Sequence, residues 1–174
     1  EIGTEQDHPI TFREVHGMNG PTYIDLFAGA SGLSEGFVRE GFKPIAHVEM
    51  DENASDTIRT RLAYHFLKSK GKEEIYFSYL KNEISREALW KNLPDKELAS
   101  VINAEISKTT ISGIFSTIDE QLGTKKRVDL IIGGPPCQAY SLVGRSRDPN
   151  GMKGDKRNYL FRYYGEFLKR YKPE

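Results

Sequence analysis

The run Val128-Asp129-Leu130-Ile131-Ile132, followed at once by Gly133-Gly134-Pro135-Pro136-Cys137, constrains the fold more than any other stretch of the chain. A short, continuous apolar strand is the kind that a parallel sheet buries on both faces. Each proline fixes its own φ and restricts the residue before it, so the backbone leaving this strand is unusually rigid. Open α/β sheets bind ligands at the carboxyl ends of their strands, which puts Cys137 where a ligand would be met. A lone cysteine is ordinarily a small buried hydrophobe. Bracketed against two prolines at a strand end, this one reads instead as a nucleophile.

The rest of the pattern agrees with a parallel sheet. Thr22-Tyr23-Ile24-Asp25-Leu26-Phe27 is rich in β-formers and runs into the turn cluster Ala28-Gly29-Ala30-Ser31-Gly32. A helix is expected from about Ser31, with Leu33 and Phe37 on its apolar face and Gly41 just past its end. A second strand over Pro44 to Met50 ends near the acidic pair Glu49 and Asp51, and a helix follows from about Asn53 through Phe66. Residues 68–100 are dense in Lys and Glu and show one clear helical pattern, around Ile84, Ala88 and Leu89, so they read as an insertion. Ile111, Ile114, Phe115, Ile118 and Leu122 repeat at helical spacing, with Thr109 or Thr110 able to cap the start and Gly123 the end. Leu160, Tyr164, Phe167, Leu168 and Tyr171 mark a last helix before Pro173. Strands alternating with helices through short turns imply a doubly wound, mostly parallel α/β sheet with right-handed crossovers, preceded by a polar leader over residues 1–21.

Composition narrows the class. The 174 residues carry 25 basic and 25 acidic side chains and are more than a third apolar, which fits one domain with a buried core and excludes a disordered tail or a wholly basic coat. Nucleic-acid contact must therefore be local. One cysteine cannot form an internal disulfide, and there is neither a secretory signal nor a run long enough to span a membrane, so the expected setting is intracellular, cytoplasmic if bacterial, without a membrane partner. No metal site is read from the sequence.

The glycine turn lets backbone approach a ligand closely, and the helix after it offers unpaired N–H groups to a carboxylate or phosphate. Glu49, at the end of the neighbouring strand, is placed to accept both hydroxyl protons of a ribose. Together these suggest a cofactor containing adenosine. The turn does not spell Gly-x-Gly-x-x-Gly, and tight packing alone is the other reading of its glycines.

Three signatures, Asp25-Leu26-Phe27-Ala28-Gly29-Ala30-Ser31-Gly32-Leu33, Val48-Glu49-Met50-Asp51 and Gly133-Gly134-Pro135-Pro136-Cys137-Gln138-Ala139-Tyr140-Ser141, resemble those of the DNA cytosine-C5 methyltransferases, and in the family's order. Ala104-Glu105-Ile106 corresponds to a short acidic motif, with Glu where Asp is usual, and Asp155, Arg157, Asn158, Leu160 and Phe161 to the next block. The match runs from about Thr22 to the end of the chain and leaves 68–100 out. It implies an incomplete Rossmann-like methyltransferase domain over 22–174 that binds S-adenosyl-L-methionine, with Phe27 against the adenine, Glu49 on the ribose, and Asp51 and Glu105 flanking the adenine. The main chain of Ala30, Ser31, Gly32 and Leu33 would take the methionine carboxylate. Ser31 stands where glycine is more usual. Ala28, Gly29, Met50, Ile106, Pro135 and Leu160 complete the implied cofactor set.

The resemblance further implies that Cys137 adds to C6 of a cytosine flipped out of duplex DNA, so that C5 takes the methyl group. Pro136, Gln138, Ser141, Arg145 and Arg147 are the implied substrate contacts. Residues 141–157 carry five basic and two acidic side chains and glycines at 144, 151 and 154, as expected of a loop that closes on phosphate, or equally of an ordinary solvated loop. The family's Glu-Asn-Val motif, its arginine motif and its target recognition domain are not in this sequence, which implies a fragment, or a second polypeptide that carries them. Two other readings stay open: a non-catalytic cofactor-binding or DNA-binding subunit of the same fold, and a cytosine-C5 methyltransferase acting on transfer RNA. A nicotinamide oxidoreductase is disfavoured by the proline-flanked cysteine.

Overall fold

The computed structural model describes residues 20–124, 127–136 and 159–174. Its four strands are β1 (Thr22–Leu26), β2 (Lys43–Glu49), β3 (Val101–Asn103) and β4 (Leu130–Gly133). All pair in parallel, in the order β3-β2-β1-β4. The order runs outward from β1 to β3 and then returns to place β4 on the other side of β1, so the sheet has its topological switch between β1 and β4. That is the expected doubly wound plan.

The faces of β1 explain why the whole strand is buried. Ile24 and Leu26, with Ala46 and Val48 of β2, pack under helix α6 (Ile111–Leu122) through Ile114, Ile118 and Leu122, and under helix α7 (Leu160–Tyr171) through Phe167 and Tyr171. Each such aliphatic side chain contributes about 2 kcal/mol by leaving water. The alternate residues Tyr23 and Asp25 point to the other face, where the Tyr23 ring lies 5.7 Å from Phe37 of helix α1 (Gly32–Arg39). The Tyr164 hydroxyl donates to the Ile131 carbonyl at 3.1 Å and ties α7 to β4.

α1 ends as its sequence requires. Gly41 has φ 89°, its N–H reaches the Val38 carbonyl at 3.0 Å, and the Phe42 N–H reaches the Phe37 carbonyl at 3.0 Å. These are the paired closing bonds that a glycine at this position permits. Helix α2 (Glu52–Ser69) is longer than its apolar spacing suggests, and Asp51 caps it by accepting from the Ala54 N–H at 2.8 Å.

Three features differ from the sequence reading. Residues 68–100 hold three short helices, α3 (Glu73–Leu80), α4 (Arg86–Trp90) and α5 (Asp95–Ala99), where one was expected. Leu89 and Leu93 pack with Ala63 and Leu67 of α2 in a second small core. β3 was not foreseen at all: three residues are too few to display a period. Thr110 stands at the start of α6 but makes no capping bond of its own, its hydroxyl instead accepting from the Ser107 N–H at 3.0 Å and donating to the Glu105 carbonyl. Residues 1–19 of the leader expected over 1–21 lie outside the described residues.

Candidate cofactor and nucleophile site

The site is built where the strands end. The chain leaves β1 through three residues with positive φ: Phe27 at 56°, Gly29 at 54° and Ser31 at 63°. Two of these are not glycine, and side chains in this region are strained by of order 1–2 kcal/mol, a condition concentrated at ligand sites. Glu49, at the end of β2, holds the turn in place: its Oε2 accepts from the Gly29 N–H at 2.7 Å and its Oε1 from the Asp51 N–H at 2.8 Å. The Ala28 N–H donates to the Val48 carbonyl at 3.1 Å, and the Ser31 N–H closes the turn on the Ala28 carbonyl at 2.9 Å.

Asn103 secures the next strand end. Its Nδ2 donates to the carbonyls of Glu49 and Met50, at 3.0 and 3.1 Å, and lies 3.1 Å from the Ser55 hydroxyl. On the other side, Gly133 leaves β4 with φ 94°, and a β-carbon there would sit 1.9 Å from the Leu26 carbonyl oxygen. Only glycine fits, because Leu26 and Gly133 are paired in register. The strand that leads to the Pro-Pro-Cys run is thus pressed against the strand that leads to the glycine turn.

Between these ends lies a cavity of about 410 Å³. Phe27, Val48, Glu49, Met50, Ala104, Glu105, Ile106, Gly134, Pro136 and Leu160 line it. It therefore brings together six of the residues expected at a cofactor, namely Phe27, Glu49, Met50, Glu105, Ile106 and Leu160. Pro136, expected at the substrate, lines it as well, whereas Pro135 does not. Ala28, Gly29, Ala30, Ser31, Gly32 and Leu33 form the turn and helix start beside the cavity rather than its wall. Asp51 is engaged as the α2 cap, so the side chain expected near an adenine has a structural role. Cys137, Gln138, Tyr140, Ser141, Arg145 and Arg147, and with them the basic loop, lie outside the described residues.

Sequence reasoning missed Val48, Ala104 and Gly134 as lining residues, although each lies within a quoted motif. It also missed Asn103, whose only signal is a polar residue at the end of a strand too short to recognise. Among the described residues no group of three or more His, Cys, Asp or Glu is placed to hold a metal ion, and no helix is long and apolar enough to cross a membrane.

Comparison with known proteins gives this arrangement a lineage. The family model described as C-5 cytosine-specific DNA methylase matches residues 22–76 and 65–174. The type II methyltransferase M.Bpa9945I of Bacillus paralicheniformis is 43% identical over 170 residues, which cover 87% of this chain and 38% of that protein. The type II methyltransferase M1.HphI of Haemophilus parahaemolyticus is 28% identical over 153 residues, 88% of this chain and 30% of that protein. M.AquIA, a type II methyltransferase of a Picosynechococcus species, is 30% identical over 132 residues, 74% and 38% of the two chains. This chain thus spans about a third of the length of the curated relatives it matches. No solved structure matches it. With the family model covering nearly all the described residues, the chain belongs to the C-5 cytosine-specific DNA methylase family.

Proposed function

We propose that the protein to which this chain belongs transfers a methyl group from S-adenosyl-L-methionine to C5 of cytosine in DNA. The observation that carries the reading is the cavity at the carboxyl ends of the strands, which joins Phe27, Glu49, Met50, Glu105 and Ile106 to Gly134 and Pro136. Its size suits an adenosine-containing ligand, and its chemistry fits one. Phe27 offers an aromatic wall, and each Glu49 oxygen, already bonded to one N–H, keeps a lone pair for a ribose hydroxyl. The first N–H groups of α1, at Gly32 and Leu33, have no intrahelical acceptor and suit the carboxylate of the methionine moiety. When bound, the cofactor supplies an electrophilic methyl group on sulfonium.

The chain's own residues supply the rest. In this reading Cys137, directly after Pro136, adds through its thiolate to C6 of the cytosine, and the displaced π electrons make C5 the nucleophile. Once C5 carries the methyl group, loss of its proton and cleavage of the sulfur–C6 bond restore the aromatic ring and release the thiol. A free thiol is mostly protonated at neutral pH, so positive charge near it is needed, and Arg145 and Arg147 are the basic side chains next in sequence. C6 is shielded in a stacked duplex, so the target base is flipped out. Gln138 and Ser141 are assigned to that base. The remainder of the protein, or a second polypeptide, reads the DNA sequence.

The test is covalent trapping. The full-length protein incubated with cofactor and a duplex containing 5-fluorocytosine should form a denaturation-resistant complex through Cys137, since fluorine on C5 blocks the final elimination. A full-length protein that binds cofactor and DNA but never forms the adduct would support a non-catalytic subunit instead. Trapping on a transfer RNA and not on duplex DNA would move the substrate to RNA.

A further inference from the structure

Beneath the glycine turn lie three buried polar side chains that the proposed chemistry does not use. They are Asp25, His47 and Ser31, respectively 1%, 1% and 4% exposed. Asp25 and His47 face each other across the β1–β2 pair, in register. His47 Nδ1 lies 3.6 Å from Asp25 Oδ2 and 3.4 Å from the Ser31 hydroxyl. At 3.6 Å Asp25 Oδ2 is outside hydrogen-bond reach and is itself buried without a hydrogen-bond partner among the described residues, so the Ser31 hydroxyl is the group that Nδ1 engages. The other ring nitrogen, Nε2, is buried without a hydrogen-bond partner among the described residues. Leaving such an atom unsatisfied is destabilising, so the histidine is a poor choice for packing alone.

Ser31 shows what the histidine is suited to do. It precedes α1, where a serine normally turns its hydroxyl onto the helix and caps it. Here it makes no such bond and adopts the left-handed conformation, φ 63° and ψ 31°, that glycine enters freely and serine does not. Its hydroxyl is directed at His47 instead. The left-handed residue is also the one that turns the chain from the glycine turn into α1, and so sets where the N–H groups of Gly32 and Leu33 point.

We propose that His47 is a positioning residue that holds Ser31 in its left-handed conformation and so presents the start of α1 to the cofactor carboxylate. The inference rests on the cofactor reading above. It makes the Ser31–His47 contact the substitute for a glycine.

Cofactor affinity of the full-length protein, measured by equilibrium binding of S-adenosyl-L-methionine, tests it. Ser31→Ala keeps the β-carbon, loses the tether and leaves the core intact, and should weaken binding about tenfold, whereas Ser31→Gly should weaken it less. His47→Leu should weaken binding about tenfold in the wild-type background and less than about twofold in the Ser31→Gly background, because glycine needs no tether. His47→Asn, which keeps an N–H donor, should recover most of the loss. Wild-type affinity in Ser31→Ala would overturn the inference, as would an equal loss from His47→Leu in both backgrounds, the mark of a purely structural role. An unsubstituted protein that binds no cofactor would instead overturn the cofactor reading, and this inference with it.

Discussion

Gly29 and Glu49, 20 residues apart in sequence, are joined by a hydrogen bond of 2.7 Å from the Gly29 N–H to Glu49 Oε2. The second carboxylate oxygen holds the Asp51 N–H at 2.8 Å, so one side chain fixes both the glycine turn and the entry to α2. Glu49→Gln leaves one of the two N–H groups facing an amide that cannot accept from it. The change should lower stability by about 1–3 kcal/mol and weaken S-adenosyl-L-methionine binding at least tenfold. Thermal denaturation and isothermal titration calorimetry on the same samples would check both effects, and unchanged affinity would remove Glu49 from the ribose.

Adjacent glycines at the end of β4 should respond in opposite ways. A β-carbon on Gly133 meets the Leu26 carbonyl at 1.9 Å in a backbone with φ 94°, whereas one on Gly134 meets nothing within 4 Å. Gly133→Ala should therefore lose about 2 kcal/mol or more, and Gly134→Ala should stay within about 0.5 kcal/mol of wild type. Urea denaturation of the two variants would show the contrast; equal stabilities would mean that β1 and β4 do not meet as described.

Asp51 separates helix capping from ligand contact. Asp51→Ala should lose about 1 kcal/mol with the α2 cap, and Asp51→Ser should restore most of it. If cofactor affinity, measured on the two variants, follows stability, capping accounts for the residue. A loss of affinity in Asp51→Ser at wild-type stability would return Asp51 to the cofactor.

Much of this architecture was legible in the sequence, for physical reasons that differ by element. β1 and α1 announce themselves because a β-rich run is cut by a glycine cluster, and α6 because its apolar residues recur at helical spacing over three turns. The same logic put the glycine turn and Glu49 at one sheet edge, and the family resemblance put Phe27 beside them. β3 escaped because its three residues owe their conformation to pairing with β2, which no local pattern encodes. Two of the three helices of 68–100, α3 and α5, escaped because short helices among Lys and Glu are stabilised by docking on the second small core rather than by their own periodicity. Asp51 shows the limit for single residues: the same carboxylate at the same position suits a helix cap and an adenine contact, and only geometry separates them.

Alkaline stability should report on Tyr23. Burial pushes its phenol well above the usual tyrosine range, the nearby charges of Asp25 and Glu35 add to this, and its bond with the Ser34 hydroxyl opposes it. A raised folded-state pKa means that stability is intact below about pH 10, where the unfolded tyrosine begins to ionise, and is lost as pH rises beyond it. Tyr23→Phe removes this ionisation. The variant's stability, followed by denaturant titration from neutral pH to about pH 11, should decline less steeply than that of wild type. Parallel declines would contradict the burial of the phenol.

Cys137, directly after the Gly133-Gly134-Pro135-Pro136 run, is proposed above as the nucleophile of a cytosine-C5 methyltransferase whose cofactor cavity this chain provides. The most direct measurement is transfer of a radiolabelled methyl group from S-adenosyl-L-methionine to duplex DNA by the full-length protein, with the modified base identified by nucleoside chromatography. The expected result is label in 5-methylcytosine, with Cys137→Ser reducing transfer by at least about 1,000-fold while cofactor binding is kept. Transfer at the wild-type rate by Cys137→Ser, or label in another base, would contradict it.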